Sequence, residues 1–440
     1  MRVGVGETRD LDPIAVSSAQ LFAAKLVGNA GYFVAVLLLA RGLGPSGRGE
    51  IAFFIVTTLV VARLSSFGVT EATTVFAAQR PHVRAVQLST AVGFTAATAA
   101  TAATVAALPL VLLVDGGTAS LSAHEAIVLV VAATAVAAAE VGNAFMLGCE
   151  RVRQLAVITG SSSWIYAVLL VLVWASASLT VALAALAWAI AQSVRVVWVL
   201  SRSLRGIGFE RPSTAVLRES IAFGIRAWVG SLARFLNFRA DQLLMAFIAP
   251  ATALGIYAVA VNAAEVLLYF PSTTAVALMP LAARSGAAAR VDLVLRAFRS
   301  AALLTVAGAV VVAIVGPPLI PVVFGNDYEA SVTPFLWLLP GAVGFAAMSV
   351  FSSALVASSL PGNSSPGPVV SLVTGLALAL ALIPGYGPTG AAAASTVAFL
   401  VGGIVSLALY RRHASFRWST LVLPRRGDLD IVRALVPLRR

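Results

Sequence analysis

Between residues 16 and 410 the chain is a succession of apolar runs, each ended by glycine, proline or a charge. A helix that crosses a bilayer needs about 20 apolar residues, and it must satisfy its own backbone hydrogen bonds because no water is there to do so. Read this way the sequence predicts about twelve spans, at 16–40, 50–76, 86–114, 123–148, 154–176, 179–201, 221–248, 252–280, 294–315, 334–358, 367–385 and 389–410. Only 11% of the residues are charged and the mean hydropathy is +0.96, whereas soluble domains carry roughly 25% charge. The expected fold class is an all-α polytopic membrane protein. The mixed charges of residues 1–16 lack the pattern of a cleavable leader, so the first span is expected to stay in place.

Arginine dominates the connections at one membrane face. Lys and Arg concentrate on the cytoplasmic side. With the N-terminus placed there, most of the 30 basic residues fall in cytoplasmic segments, while the opposite loops hold Arg41 and Arg48. Both termini are then expected inside. This asymmetry accounts for most of the net charge of +12 without any nucleic-acid partner.

Familiar chemistries are excluded in turn. Cys149 is the single cysteine, and His82, His124 and His413 fall far apart at loops or helix ends, so neither a metal site nor a catalytic triad is expected. The sequence GLGPSG, from Gly42 to Gly47, has dinucleotide-motif spacing, but it falls in a turn between two spans and not after a strand. The only lysine, Lys25, follows Ala24, so there is no P-loop. No enzyme chemistry and no cofactor are expected; transport is what remains.

A basic connection, Ser201 to Ser220, divides the chain near its middle, with six predicted spans on each side. The expected domains are an N-terminal segment 1–15, a lobe 16–201, a linker 202–220, a lobe 221–410 and a basic tail 411–440. Pro45 and Gly49 in the first half match Pro250 and Gly255 in the second, and Arg80 matches Arg284. An even number of spans per repeat gives both halves the same topology, related by an axis along the membrane normal.

The spans themselves carry charge at few places. Lys25, Arg63, Arg234 and Arg239 are the intramembrane cations, and Glu71, Glu140, Asp241 and Glu265 the acids. Each costs roughly 2.5–3.5 kcal/mol at a helix centre, so they must face one another or a polar cavity. Helical spacing puts Lys25, Asn29 and Tyr32 on one face, and Arg63, Ser66, Thr70 and Thr74 on another. It also aligns Arg234, Asn237 and Asp241, and aligns Asn262, Glu265 and Tyr269. Arg239 is off its helix's stripe, serving either a second cavity wall or a structural ion pair. Two readings stand: ion pairs that bind the bundle together, such as Arg234 with Asp241 or Arg63 with Glu71, or a cationic cavity for an anionic substrate, with Asp241, Glu265 and Glu71 as proton or sodium sites.

Three stretches, LLLARGLGPSGRGEIAFF, FRADQLLMAFIAPATALGIYAVAVNAAE and GPPLIPVVFGNDYEASVTPFLWLLPG, resemble the polysaccharide-biosynthesis branch of the multidrug/oligosaccharidyl-lipid/polysaccharide exporter superfamily, the O-antigen or Wzx-type translocases. The resemblance implies two parallel six-helix lobes in a V, as in multidrug exporters, lying in a bacterial inner membrane. It implies a flippase that moves an undecaprenyl-pyrophosphate-linked oligosaccharide outward, with membrane lipids around it and a polysaccharide polymerase or glycosyltransferase as partner. Carried to this chain, it makes Lys25, Arg63, Arg234 and Arg239 the contacts for pyrophosphate or acidic glycan. Twelve spans, where lipid II flippases usually have fourteen, argue against a peptidoglycan precursor. The rivals are a cation-coupled multidrug exporter of the same fold and a non-transporting scaffold of envelope assembly.

Overall fold

The structure is a computed structural model that describes residues 13–112, 121–176, 178–358, 361–416 and 420–421. The first half comprises α1 (Pro13–Leu64), α2 (Val69–Gln79), α3 (Arg84–Leu112), α4 (Ala123–Gly148), α5 (Val152–Ser176) and α6 (Val181–Ser203). The second comprises α7 (Thr214–Leu236), α8 (Ala240–Ile248), α9 (Ala251–Ala264), α10 (Tyr269–Arg284), α11 (Ala287–Phe324), α12 (Val332–Leu338), α13 (Gly341–Ala357) and α14 (Pro366–His413). The expected segment 1–15 and tail 411–440 lie largely outside the described residues.

Two of the expected loops are breaks inside continuous helices. At Gly44 (φ 66) in α1 and at Gly387 (φ 52) in α14 the backbone leaves the helical region for one residue, and a proline follows each time. Proline removes an N–H and clashes with the preceding turn, and glycine adopts the φ that other residues avoid. Arg41 and Arg48, expected in an outside loop, therefore lie on α1.

Eight helices are long and apolar enough to cross a membrane, nine with the bent pair Asn326–Leu338 and Gly341–Ala357. The Gly44 and Gly387 breaks each divide one of those runs into two of the predicted spans, and α7 with α8 forms one more. Among the described residues the helices follow the order of the expected spans, in keeping with a multi-pass membrane protein.

Several other spans are also interrupted, and the interruptions coincide with polar sequence. The second span breaks at Ser65–Gly68, where Phe67 (φ 42) and Gly68 (φ 83) take left-handed conformations. The seventh breaks at Asn237–Arg239, between α7 and α8. The eighth tightens into a 3-10 turn over Glu265–Leu268.

The halves meet at both membrane faces. At the face of the Gly44 and Pro250 turns, called here the turn end, α1 lies against α9. Val36 and Ala40 pack with Val259, Ala260 and Tyr328. Gly49 and Gly255 let the two backbones touch: a Cβ on Gly255 would lie 1.9 Å from the Pro45 carbonyl oxygen, and one on Gly49 1.9 Å from that of Ala251. Arg41 adds hydrogen bonds of 2.8 Å to the carbonyls of Val322 and Val323 at the end of α11, where orphan carbonyls favour a cation. At the opposite face, the linker end, α7 lies on α2 and α3. Gly68 and Gly224 form a second backbone crossing, Gln87 bonds Ser220 at 3.2 Å, and Arg80 pairs with Glu219 at 2.7 Å.

One charge pair joins two unbroken helices of the first half. Arg195 falls within the sixth expected span, 179–201, yet is not among the intramembrane cations expected from the sequence. The residue sits on α6 and pairs at 2.8 Å with Glu140 of α4. Helical spacing within one span says nothing of an acid on another, so the pairing is hidden from the sequence.

Candidate functional site

Apart from Lys25 and the Glu140–Arg195 pair, the intramembrane charges collect at or beside the helix interruptions. A charge needs partners, and an interrupted helix exposes backbone polar groups that supply some of them. Arg63 and Glu71 flank the break of the second span and pair across it at 3.0 Å. The second half closes this group. Ser231 of α7 donates to Glu71 at 2.5 Å, and the Trp228 indole N–H donates to the Arg63 carbonyl at 3.1 Å. Trp228 also stacks on the strained Phe67, with centroids 5.7 Å apart. Nε of Arg63 and Oε2 of Glu71 are buried without a hydrogen-bond partner, so the pair has donor and acceptor capacity left over.

Arg234, one helical turn beyond Ser231, is exposed. It stands within electrostatic reach of Arg63 and Glu71, and no carboxylate pairs with it among the described residues. It is thus a cation open to a ligand beside a pair that is already closed. Lys25 lies on α1, but its side chain is outside the described structure.

A second group joins two other breaks. Arg239, at the start of α8, pairs with Glu265 at 2.7 Å and donates to the Phe238 carbonyl at 2.8 Å. Tyr32 and Tyr269 lie in electrostatic reach of both partners or their neighbours. Of the two roles left open for Arg239, an ion pair is what the geometry displays.

Asp241 forms a third group, inside the second half. Its carboxylate accepts from the Tyr257 hydroxyl at 2.5 Å, the Ser395 hydroxyl at 3.0 Å and the Gln242 N–H at 2.7 Å. Asn237 faces the same way: it accepts from Ser371 at 2.7 Å and donates to the Pro368 carbonyl at 2.8 Å. Asn237, Asp241, Glu265, Ser395 and Phe399 line a small cavity of about 40 Å³, room enough for water or a small ion. An acid ringed by hydroxyls and an amide can hold a proton or a monovalent cation.

The sequence stripes are therefore divided. Asn237 and Asp241 bond residues of α14, whereas Arg234 stands in electrostatic reach of Arg63 and Glu71, so the expected Arg234–Asp241 pair does not form among the described residues. Ser66 is buried and donates to the Arg63 carbonyl at 3.1 Å, and Thr70 is buried. Asn29 has a buried, unpartnered Nδ2. Asn262 and Tyr269 are partly exposed on the eighth span. Trp228, Ser231, Tyr257, Ser371 and Ser395 escape the sequence reading: each sits in apolar sequence where only its partner on another helix reveals it. No group of three or more His, Cys, Asp or Glu residues is placed to hold a metal among the described residues.

Comparison with known proteins sets these groups in a family. A family model described as polysaccharide biosynthesis protein matches residues 38–333. The chain belongs to this family. Its fold is that of the exporter superfamily suggested by the sequence. It superposes on a structure titled lipid II flippase MurJ, inward closed conformation, with TM-score 0.73 and 13% identity, covering 92% of this chain and 89% of that one. It is similarly close to the inward-facing conformation of a multidrug resistance MATE family transporter of the MOP superfamily, with TM-score 0.70 and 14% identity over 89% of this chain and 98% of that one. The outward-facing conformation of such a MATE transporter matches with TM-score 0.66, 14% identity and coverage of 92% and 96%. No curated protein matches the sequence. Membership of the polysaccharide biosynthesis family and the two-lobed all-helical fold agree with the expectation from sequence.

Proposed function

We propose that this protein is a flippase, not an enzyme, and that it carries an undecaprenyl-pyrophosphate-linked oligosaccharide from the cytoplasmic to the outer leaflet of a bacterial inner membrane. The observation that carries the reading is Arg234: an exposed guanidinium at membrane depth with no paired carboxylate, beside the closed Arg63–Glu71 pair. A guanidinium binds phosphate oxygens bidentately. The pyrophosphate and glycan pass between the lobes, 16–201 and 221–410, while the polyprenyl tail stays in lipid. Arg63 and Arg239 join Arg234 when the substrate oxygens replace Glu71 and Glu265, and Lys25 completes the cationic set. The linker end and both termini are cytoplasmic, as the arginine distribution requires. Asp241 is the coupling site for H+ or Na+, with the hydroxyls of Tyr257 and Ser395 as its companions. A polysaccharide polymerase or a glycosyltransferase shares the substrate.

One observation favours a second reading. The enclosed acidic group at Asp241 also suits a cation-coupled multidrug exporter. The test is surface polysaccharide in a deletion strain complemented with Arg63→Ala, Arg234→Ala or Arg239→Ala at matched membrane abundance. Loss of glycan with Arg234→Ala is expected. Normal glycan with all three variants sinks the cationic reading, and normal glycan in the deletion strain itself favours the exporter.

A further inference from the structure

Arg48 is unused by the proposed transport site, and it is buried more deeply than any cation in that site. Its side chain is 3% exposed, and Nε and Nη1 are both buried without a hydrogen-bond partner. Arg299, the other arginine so deeply buried among the described residues, donates instead to the carbonyl of Thr420. The nearest acid in sequence, Glu50, is exposed and accepts from Ser46 at 3.4 Å. The phenols within electrostatic reach of Arg48 are Tyr166 of α5 and Tyr328 of the second half. Their hydroxyls are directed to the carbonyls of Ala184 and Ala40.

Three facts of position belong together. Arg48 lies in the first turn after the Gly44–Pro45 break, where a new helix begins and its positive end adds to the guanidinium charge. It lies within electrostatic reach of a tyrosine of each half. It immediately precedes Gly49, whose backbone touches the Ala251 carbonyl at the turn end. Closure of that seam therefore shuts in a cation whose donors are unspent, an arrangement that favours an anion arriving there.

We infer that Arg48 is a second anion-binding site, at the turn-end seam, taking a phosphate or diphosphate group when the seam parts. The identity of the anion rests on the flippase reading; the existence of the site does not. In transport terms Arg234 would receive the charged headgroup toward the linker end and Arg48 would receive it at the turn end.

The experiment uses the full chain in lipid nanodiscs. Thermal unfolding is followed with inorganic diphosphate and, separately, with farnesyl diphosphate, for the parent, Arg48→Met and Arg234→Ala. The parent is expected to gain stability with anion. Arg48→Met is expected to unfold no earlier than the parent without anion, since it carries no unpaired charge, and to lose at least half of the anion-induced gain. Arg48→Lys, which keeps the charge, is expected to retain part of it and covers the case in which Arg48→Met does not fold. A gain with farnesyl diphosphate alone assigns the site to a lipid-linked headgroup; a gain with both assigns it to any diphosphate. Equal gains in parent, Arg48→Met and Arg48→Lys overturn the inference. If Arg234→Ala alone loses the gain, the transport reading stands and the Arg48 site falls. If Arg48→Met alone loses it, Arg48 stands and the role of Arg234 falls.

Discussion

Gly255→Ala tests how the turn end is held. The added Cβ would lie 1.9 Å from the carbonyl oxygen of Pro45 and 2.8 Å from its carbonyl carbon. Both are backbone atoms, so no side chain can swing aside. Ordinary carbon contacts begin near 3.5 Å, so α9 and α1 must separate locally by roughly 1.5 Å or distort. Overpacking of this kind costs about 1–3 kcal/mol, which shifts a closed-to-open equilibrium by about 5–150-fold. The readout is a cysteine in place of Val259, which is 0% exposed in the seam, in a background lacking Cys149. A membrane-impermeant maleimide should label it faster in Gly255→Ala by a factor in that range. Gly93→Ala, where nothing lies within 4 Å of the added methyl, should label at the parent rate. Parent-rate labelling in Gly255→Ala, with normal membrane abundance, would refute the idea that this backbone crossing holds the seam.

Glu71→Gln leaves Arg63, about a fifth exposed, without its counter-ion; loss of one partner of a buried pair costs about 3–5 kcal/mol, reduced here by partial exposure. A lowered unfolding temperature is expected, with recovery in Arg63→Met/Glu71→Leu; equal destabilisation in single and double variants would speak against the pair. Asp241→Asn keeps an acceptor for Tyr257 and Ser395 but removes the charge. It should fold normally and abolish any stabilisation of the purified protein by Na+ or by acid, and a preserved ion response would exclude Asp241 as the coupling site. Outside the spans, the hydrogen bond from Arg80 holds the Glu219 carboxyl below the usual carboxylate range. Such a group stabilises above its unfolded pKa and loses that contribution as pH falls through its lowered native value. The melting temperatures of the parent and Glu219→Gln should therefore differ at neutral pH and converge in acid.

The sequence is most legible where one helix decides the outcome alone. Apolar length locates the spans, and Pro45 and Pro250 mark the turns, because proline acts on its own backbone whatever surrounds it. The charged positions are also visible, since lipid tolerates so few. Their groupings are mostly not. Arg63 with Glu71 is the pairing the sequence does suggest; Arg239 with Glu265 and Arg195 with Glu140 are relations between helices, and spacing along one helix cannot foresee them. The stripe through Arg234, Asn237 and Asp241 assumes an uninterrupted helix, and the turn at 237–239 sends its two ends to different surroundings. Arg48 is misplaced by the sequence for the opposite reason: GLGPSG has the composition of a loop, yet the chain needs only one non-helical residue to pass it.

The two glycine crossings have a kinetic consequence. Where long side chains line an interface, they can stretch and re-pack as the surfaces move apart, so contact energy is surrendered gradually. At Gly49 with Gly255, and at Gly68 with Gly224, backbone meets backbone and nothing is long enough to bridge the gap. Dispersion falls off within about 1 Å of separation, so a half-parted crossing has lost its attraction without gaining new partners. Seams built this way favour two well-separated arrangements and a brief passage between them, with each end of the molecule either shut or released.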